Sequence, residues 1–198
     1  MRHITRFILI AVLLAGSAGI AKASPADMIG TYHNHLLAAL SSPNATSDQA
    51  RFKDLSPIMD VAFDFESMIK TAAGRYWREA SPASRESLLA AFRRVSIATY
   101  ADRFAGLKSG QFKTIGMRDG PRGLKLVDTM LVTGTENVSL IYVTRQYNDT
   151  WKIIDVLLSG GISELALRAS EYAKILKNGG IEALTKALNE QAKVLLET

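Results

Sequence analysis

The chain has 198 residues, a formal net charge of +5 and no cysteine. That length fits one domain able to bury roughly 70% of its unfolded surface. Without a thiol, disulfides, thiolate metal ligands and cysteine nucleophiles are excluded, and the fold must stand on its core.

The N-terminus accounts for much of the charge. Arg2 and Arg6 precede an apolar run from Phe7 to Leu14, and small residues lead to Ala21-Lys22-Ala23. A basic start, a short apolar core and an A-x-A site predict a secretory signal peptide over residues 1–23. The run is too short to span a bilayer, which takes about 20 residues. The expected product is an exported, soluble single domain, 24–198, with no cysteine at the cleavage site to carry a lipid anchor. It keeps 21 bases and 19 acids, a net charge of +2. No run of Lys or Arg survives and no basic–aromatic interleaving is present, which argues against nucleic-acid binding.

From Pro25 to Leu40 the pattern predicts a helix, closed by Ser41-Ser42-Pro43-Asn44. Ser47 caps a short helix through Asp54, and Pro57 interrupts the stretch after it. Asp64 caps another helix with Met68 and Ile69 facing inward, and Gly74 weakens it before Tyr76 and Trp77. Ser81-Pro82, a capping serine before a proline at the first helical position, opens a long helix to about Leu107. Leu88, Phe92 and Val95 share one of its faces. Tyr100, Phe104 and Leu107 repeat that spacing on a face roughly 100 to 160° away. Two surfaces are therefore covered, either the core and then a loop, or the core and then the wall of a cavity.

Four strands come next, at Gln111–Met117, Leu124–Thr133, Val138–Tyr147 and Trp151–Leu158. Short turns at Gly120-Pro121, Gly134 and Asn148-Asp149 predict an antiparallel meander. Val138, Leu140 and Tyr142 alternate with Ile141 and Val143, so the third strand is apolar on both faces. An antiparallel sheet with one wet face alternates cleanly; this one needs cover on both sides. Gly160-Gly161 stops the last strand, and Ser163 caps a helix, with Ile162 and Leu167 placed as a hydrophobic staple. Asn178-Gly179-Gly180 supplies a helix stop.

Catalytic patterns are scarce. His33 and His35, two apart, fall on different faces of a helix and are expected as surface residues rather than as a metal pair. No phosphate loop, dinucleotide loop or G-x-S-x-G elbow occurs. Asp128 and Asp155 stand inside apolar strand runs, where a carboxylate is costly unless paired. Each is either a proton-transfer base in an apolar cavity or a structural group bound to Arg145, Lys152, Arg168 or the backbone. No acid–base partner is identifiable, which favours the structural role.

Several stretches together resemble the MlaC or toluene-tolerance family. They are Phe63-Asp64-Phe65, Gly74-Arg75-Tyr76-Trp77, Tyr100-Ala101-Asp102-Arg103-Phe104, Tyr142 ahead of Trp151-Lys152, and the C-terminal run from Trp151 to Gly180. The Ile162-Ser163-Glu164-Leu165-Ala166 wording is similar to the branch associated with hopanoid biosynthesis. The resemblance implies an α+β fold, with a twisted antiparallel four-stranded sheet and several helices around an apolar cavity. It implies a periplasmic carrier, without cofactor or catalytic step, of a phospholipid or hopanoid-type lipid. Its implied partners are an inner-membrane lipid transporter and an outer-membrane acceptor complex.

Such a cavity faces a demanding competitor. A buried methylene is worth about 0.8 kcal/mol, so a two-tailed lipid represents on the order of 20 kcal/mol of burial. The bilayer offers the same, so only a deep, dry cavity competes. Its expected lining is Tyr100, Phe104, Leu107, Val127, Met130, Leu140, Tyr142, Trp151 and Ile153.

Overall fold

The computed structural model describes residues 23–105, 107 and 110–197; apart from Ala23, the expected signal peptide lies outside them. Helices lead, a sheet follows and a long helix closes the chain. The order is α1 (Pro25–Leu40), α2 (Asp48–Ala62), α3 (Phe65–Ala73), α4 (Arg75–Glu79), α5 (Pro82–Arg103), β1 (Gln111–Asp119), β2 (Lys125–Val132), β3 (Asn137–Tyr147), β4 (Thr150–Leu158), β5 (Ile162–Ser163) and α6 (Glu164–Leu196). The α+β class holds. The helix starts follow their caps: Ser24, Ser47, Asp64, Ser81 and Ser163 each accept a backbone N–H of the first turn.

Helix α2, helix α5 and the strand count differ most from the sequence reading. Helix α2 passes through Pro57 to Ala62, because Leu55, Met59 and Ala62 form one buried stripe and that burial outweighs the lost backbone bond. Helix α5 stops at Arg103, where Phe104 becomes its C-cap with φ −99° and ψ 8°. Phe104 and Leu107 are therefore not on a continuing helical face. The sheet has five strands, not four, in the order β1-β2-β3-β4-β5. Gly160 and Gly161, with φ of 83° and 77°, turn the chain so tightly that Ile162 and Ser163 pair back onto Leu158 and Leu157. Two residues are too short a run to show a strand period. The stop at Gly179-Gly180 appears as a break inside α6, with Gly180 at φ 66°, a conformation that glycine adopts without a Cβ penalty.

All strand pairs are antiparallel. Register puts Val127 opposite Tyr142 and Thr129 opposite Leu140, and these four, with Thr144, are buried. This face meets the helices. Thr129 and Thr144 donate their hydroxyls to the carbonyls of Leu140 and Lys125, at 2.8 and 3.0 Å, so neither carries an unmet polar group into the core. The other face, with Met130, Val132, Ile141 and Val143, stays half-buried. The outer edge of β4 is covered at two points, by β5 at Leu157 and Leu158 and by a parallel bridge from Phe63 to Ile153.

Helix α1 is tied to the sheet by an unexpected group. His33 is buried, not on the surface as the sequence suggested; its Nε2 lies 3.0 Å from the Tyr142 hydroxyl and its ring stacks on Phe112 at 3.9 Å. The partners come from strands more than 75 residues away, so no local pattern could place it. His35, two positions on, stays exposed. Among the described residues no cluster could hold a metal ion.

Burial lowers the His33 pKa to about 4, against a value near 6.5 in the unfolded chain. Between those values the unfolded state binds the proton and the native state does not, so stability is full above the unfolded value and falls as pH drops toward the folded one. Unfolding by urea should show a loss of about 2 kcal/mol from pH 7 to pH 5 attributable to this residue. The His33→Gln variant, which can still bond Tyr142, should lose most of that dependence. An unchanged pH profile would show that His33 is not held neutral.

Candidate functional site

A cavity of about 660 Å³ opens between α1, the second half of α2 and the β3–β4 hairpin. Helix α1 contributes Met28, Tyr32 and His35 at i, i+4 and i+7, one stripe of the helix. Its core stripe is Ile29, Tyr32, His33 and Leu36, so Tyr32 belongs to both. Helix α2 contributes Ile58, Val61 and Ala62, and β4 contributes Thr150, Trp151 and Lys152. Tyr32 and Ala62 form the buried floor, while Met28, Ile58 and Trp151 are half-buried walls. Val61, 73% exposed, stands at the mouth. Asp27, Asp60, Asp149 and Lys152 supply the charge around the opening.

The two sides are joined at their base. The Lys152 ammonium donates to the Asp60 carbonyl at 2.9 Å, a cation at the C-terminal turn of α2 where the helix dipole favours it. The Asp64 N–H donates to the Ile153 carbonyl at 2.9 Å. Arg93 on α5 grips the Asp60 carboxylate through two bonds of 2.5 and 2.6 Å.

The nine residues expected at the wall fall in four places. Trp151 lines the cavity. Tyr100, Val127, Leu140, Tyr142 and Ile153 lie in the closed core beside it, and Phe104 packs partly buried against them. Met130 is on the opposite side of the sheet by register, and Leu107 is half-buried beyond α5. Within the core, Tyr32 meets Tyr142 edge-on with centroids 6.1 Å apart. Burial first, and the neighbouring Tyr100 second, push the hydroxyls of Tyr32 and Tyr142 well above the ordinary tyrosine range. They are neutral groups. Met28, Ile58 and Val61 were missed in the sequence: reading α2 as ending at Asp54 left Ile58 and Val61 unplaced, and Met28 belongs to a stripe that also reads as ordinary core.

Neither inner carboxylate reaches this cavity. Asp128 pairs with Arg118 at 3.3 Å, not with Arg145, Lys152 or Arg168. Among the described residues Asp155 pairs with no base; it accepts from the N–H groups of Val156 and Leu165 at 2.8 and 3.1 Å and from the Ser163 hydroxyl at 2.6 Å. A carboxylate at the N-terminus of α6 satisfies donors that the helix leaves open. Arg145, Lys152 and Arg168 are engaged elsewhere, with Ser67, the Asp60 carbonyl and Glu164.

Residues 31–190 match the MlaC protein family. The chain belongs to this family. A solved structure of a phospholipid-binding protein from Ralstonia solanacearum, in complex with a phospholipid, is similar to it with a TM-score of 0.79 and 22% identity, over 87% of this chain and 99% of that one. At that identity the likeness speaks for the MlaC fold. No curated protein sequence matches the chain. Among the described residues, no helix of this MlaC-family chain is long and apolar enough to cross a membrane.

The two aspartates should separate on mutation. Asp155→Ala leaves buried N–H groups without their charged acceptor and should lower stability by about 2 kcal/mol. Asp128→Ala breaks a partly exposed pair and should lower it by less than about 1 kcal/mol. Urea unfolding of both variants checks this; equal losses would contradict the capping role.

Proposed function

We propose that this protein is a periplasmic lipid carrier that holds a phospholipid by its acyl tails and shuttles it between membranes without chemistry. The observation that carries the reading is the apolar cavity of about 660 Å³ walled by Met28, Ile58 and Trp151. That volume lies within the range of ligand sites, about 300 to 1,000 Å³. The phospholipid in the similar Ralstonia protein supports the choice of ligand. A hopanoid-type lipid is the variant suggested by the Ile162–Ala166 wording. An inner-membrane transporter and an outer-membrane complex are the proposed donor and acceptor.

The tails enter beside Trp151 in this reading. Tyr32 forms part of the floor, and behind its ring lies Tyr142. Tyr100, Phe104, Val127, Leu140 and Ile153 are proposed as the deeper wall that a longer tail reaches when the Tyr32 ring gives way. The acids and Lys152 at the opening suit a head group that stays in water. Asp128 and Asp155, engaged in structural contacts away from the cavity, give the alternative of an enzyme no reacting group at the site.

Protein purified from the periplasm should release a lipid on organic extraction and show its mass adduct in native mass spectrometry. Ile58→Asp puts an unpaired carboxylate against the tails and should reduce the retained lipid about tenfold or more. Phe104→Asp tests the deeper wall in the same way. A folded Ile58→Asp variant carrying a full complement of lipid would remove the cavity from the mechanism. Wild-type protein that is consistently empty would remove the carrier reading itself.

A further inference from the structure

The β1–β2 hairpin carries charge and apolar surface that the cavity does not use. β1 is an edge strand of the sheet, and every residue from Lys113 to Asp119 is exposed. Ile115 and Met117 are 64% and 47% exposed. A register irregularity falls between Thr114 and Gly116, at Ile115. Edge strands are kept from aggregating by charges and bulges; that purpose is served by Lys113, Arg118 and the bulge, and it does not call for two exposed aliphatic side chains.

The charge is also concentrated here. From Gln111 to Val132 there are four bases and two acids, and the rest of residues 24–198 holds 17 of each. This hairpin therefore accounts for the whole net charge of +2. Arg118 pairs with Asp128 and Lys125 with Asp119. Lys113 and Arg122 have no ion pair among the described residues. Arg122 stands at the tip, in the short 3-10 turn Pro121–Gly123.

Topology places that tip at the end of the sheet where the cavity opens. Lys125, at the start of β2, is opposite Thr144 near the end of β3, and β3 turns there into Thr150, Trp151 and Lys152. The rim acids Asp27, Asp60 and Asp149 would be repelled by an anionic surface, so the contact is confined to the hairpin beside the mouth.

We propose that the β1–β2 hairpin docks this protein on an anionic bilayer surface, with Ile115 and Met117 entering the interface and Lys113 and Arg122 meeting lipid phosphates. Apolar insertion combined with attraction to anionic head groups is how peripheral proteins hold a membrane reversibly. Exposed Ile115 and Met117 beside the bases Lys113 and Arg122, which lack an ion pair among the described residues, match a surface that is anionic outside and apolar beneath, which favours a bilayer over an acidic protein. The use of this contact in lipid exchange rests on the carrier reading; the contact itself does not.

Flotation of the processed protein with two kinds of vesicle tests it. One is phosphatidylglycerol and phosphatidylethanolamine in equal parts, the other phosphatidylcholine alone. The protein should float with the first and at least about tenfold less with the second, and raised salt should weaken binding. Lys113→Glu with Arg122→Glu, and separately Ile115→Ser with Met117→Ser, should each cut partition about tenfold. All four side chains are on the surface, and circular dichroism confirms folding. No flotation, equal flotation on both vesicles, or variants that float like the wild type would overturn the proposal; the first outcome leaves the hairpin to an acidic protein. A protein that retains lipid but never floats refutes docking alone, whereas one that floats but is always empty refutes the carrier alone.

Discussion

The junction between the end of α2 and the first half of β4 sets the geometry on which the site depends. Phe63 bridges Ile153, the Asp64 N–H reaches the Ile153 carbonyl, and Lys152 reaches the Asp60 carbonyl. Arg93 then ties Asp60 to α5. These contacts hold one wall of the cavity, Ile58 and Val61, at a set distance from the other, Trp151. They also close an otherwise open sheet edge, so one set of hydrogen bonds shapes the pocket and protects the strand.

Helix α1 is the complementary wall and is attached differently. Beyond its apolar stripe, it relies on the buried His33 against Tyr142 and Phe112. A neutral imidazole bonded to a phenol costs little to bury, whereas an imidazolium there would lack a counter-charge. Tyr32, on the same helix, belongs both to the core and to the cavity floor. The surface of α1 that would meet a ligand is thus mechanically continuous with the sheet.

The carboxylates illustrate how a residue with catalytic potential can be absorbed by architecture. Asp155 sits where β4, β5 and the first turn of α6 converge, and its oxygens are taken by two N–H groups and a hydroxyl. A group held by three donors in this way is fixed in a structural role away from the cavity. The cavity of this MlaC-family protein is walled mainly by apolar side chains, with charge at its margins. That distribution suits retention of lipid tails by exclusion of water rather than by specific bonds.

Local patterns determined a great deal. The caps at Ser47, Asp64, Ser81 and Ser163, the meander of β1 to β4 and the break at Gly179-Gly180 were legible because capping, strand alternation and glycine turns act over a few residues. The family was legible from short runs such as Trp151–Val156. The two-residue β5 and the passage of α2 through Pro57 were not, since pairing and burial against distant elements decided them. The cavity was the least legible feature. Trp151 was named, but Met28, Ile58 and Val61 carry the same apolar periodicity as core residues, and Tyr142 and Ile153 carry the same strand pattern as Trp151. Periodicity says that a side chain is withdrawn from water; only the packing of α1, α2 and β4 decides whether protein atoms or an open space lie on its other side.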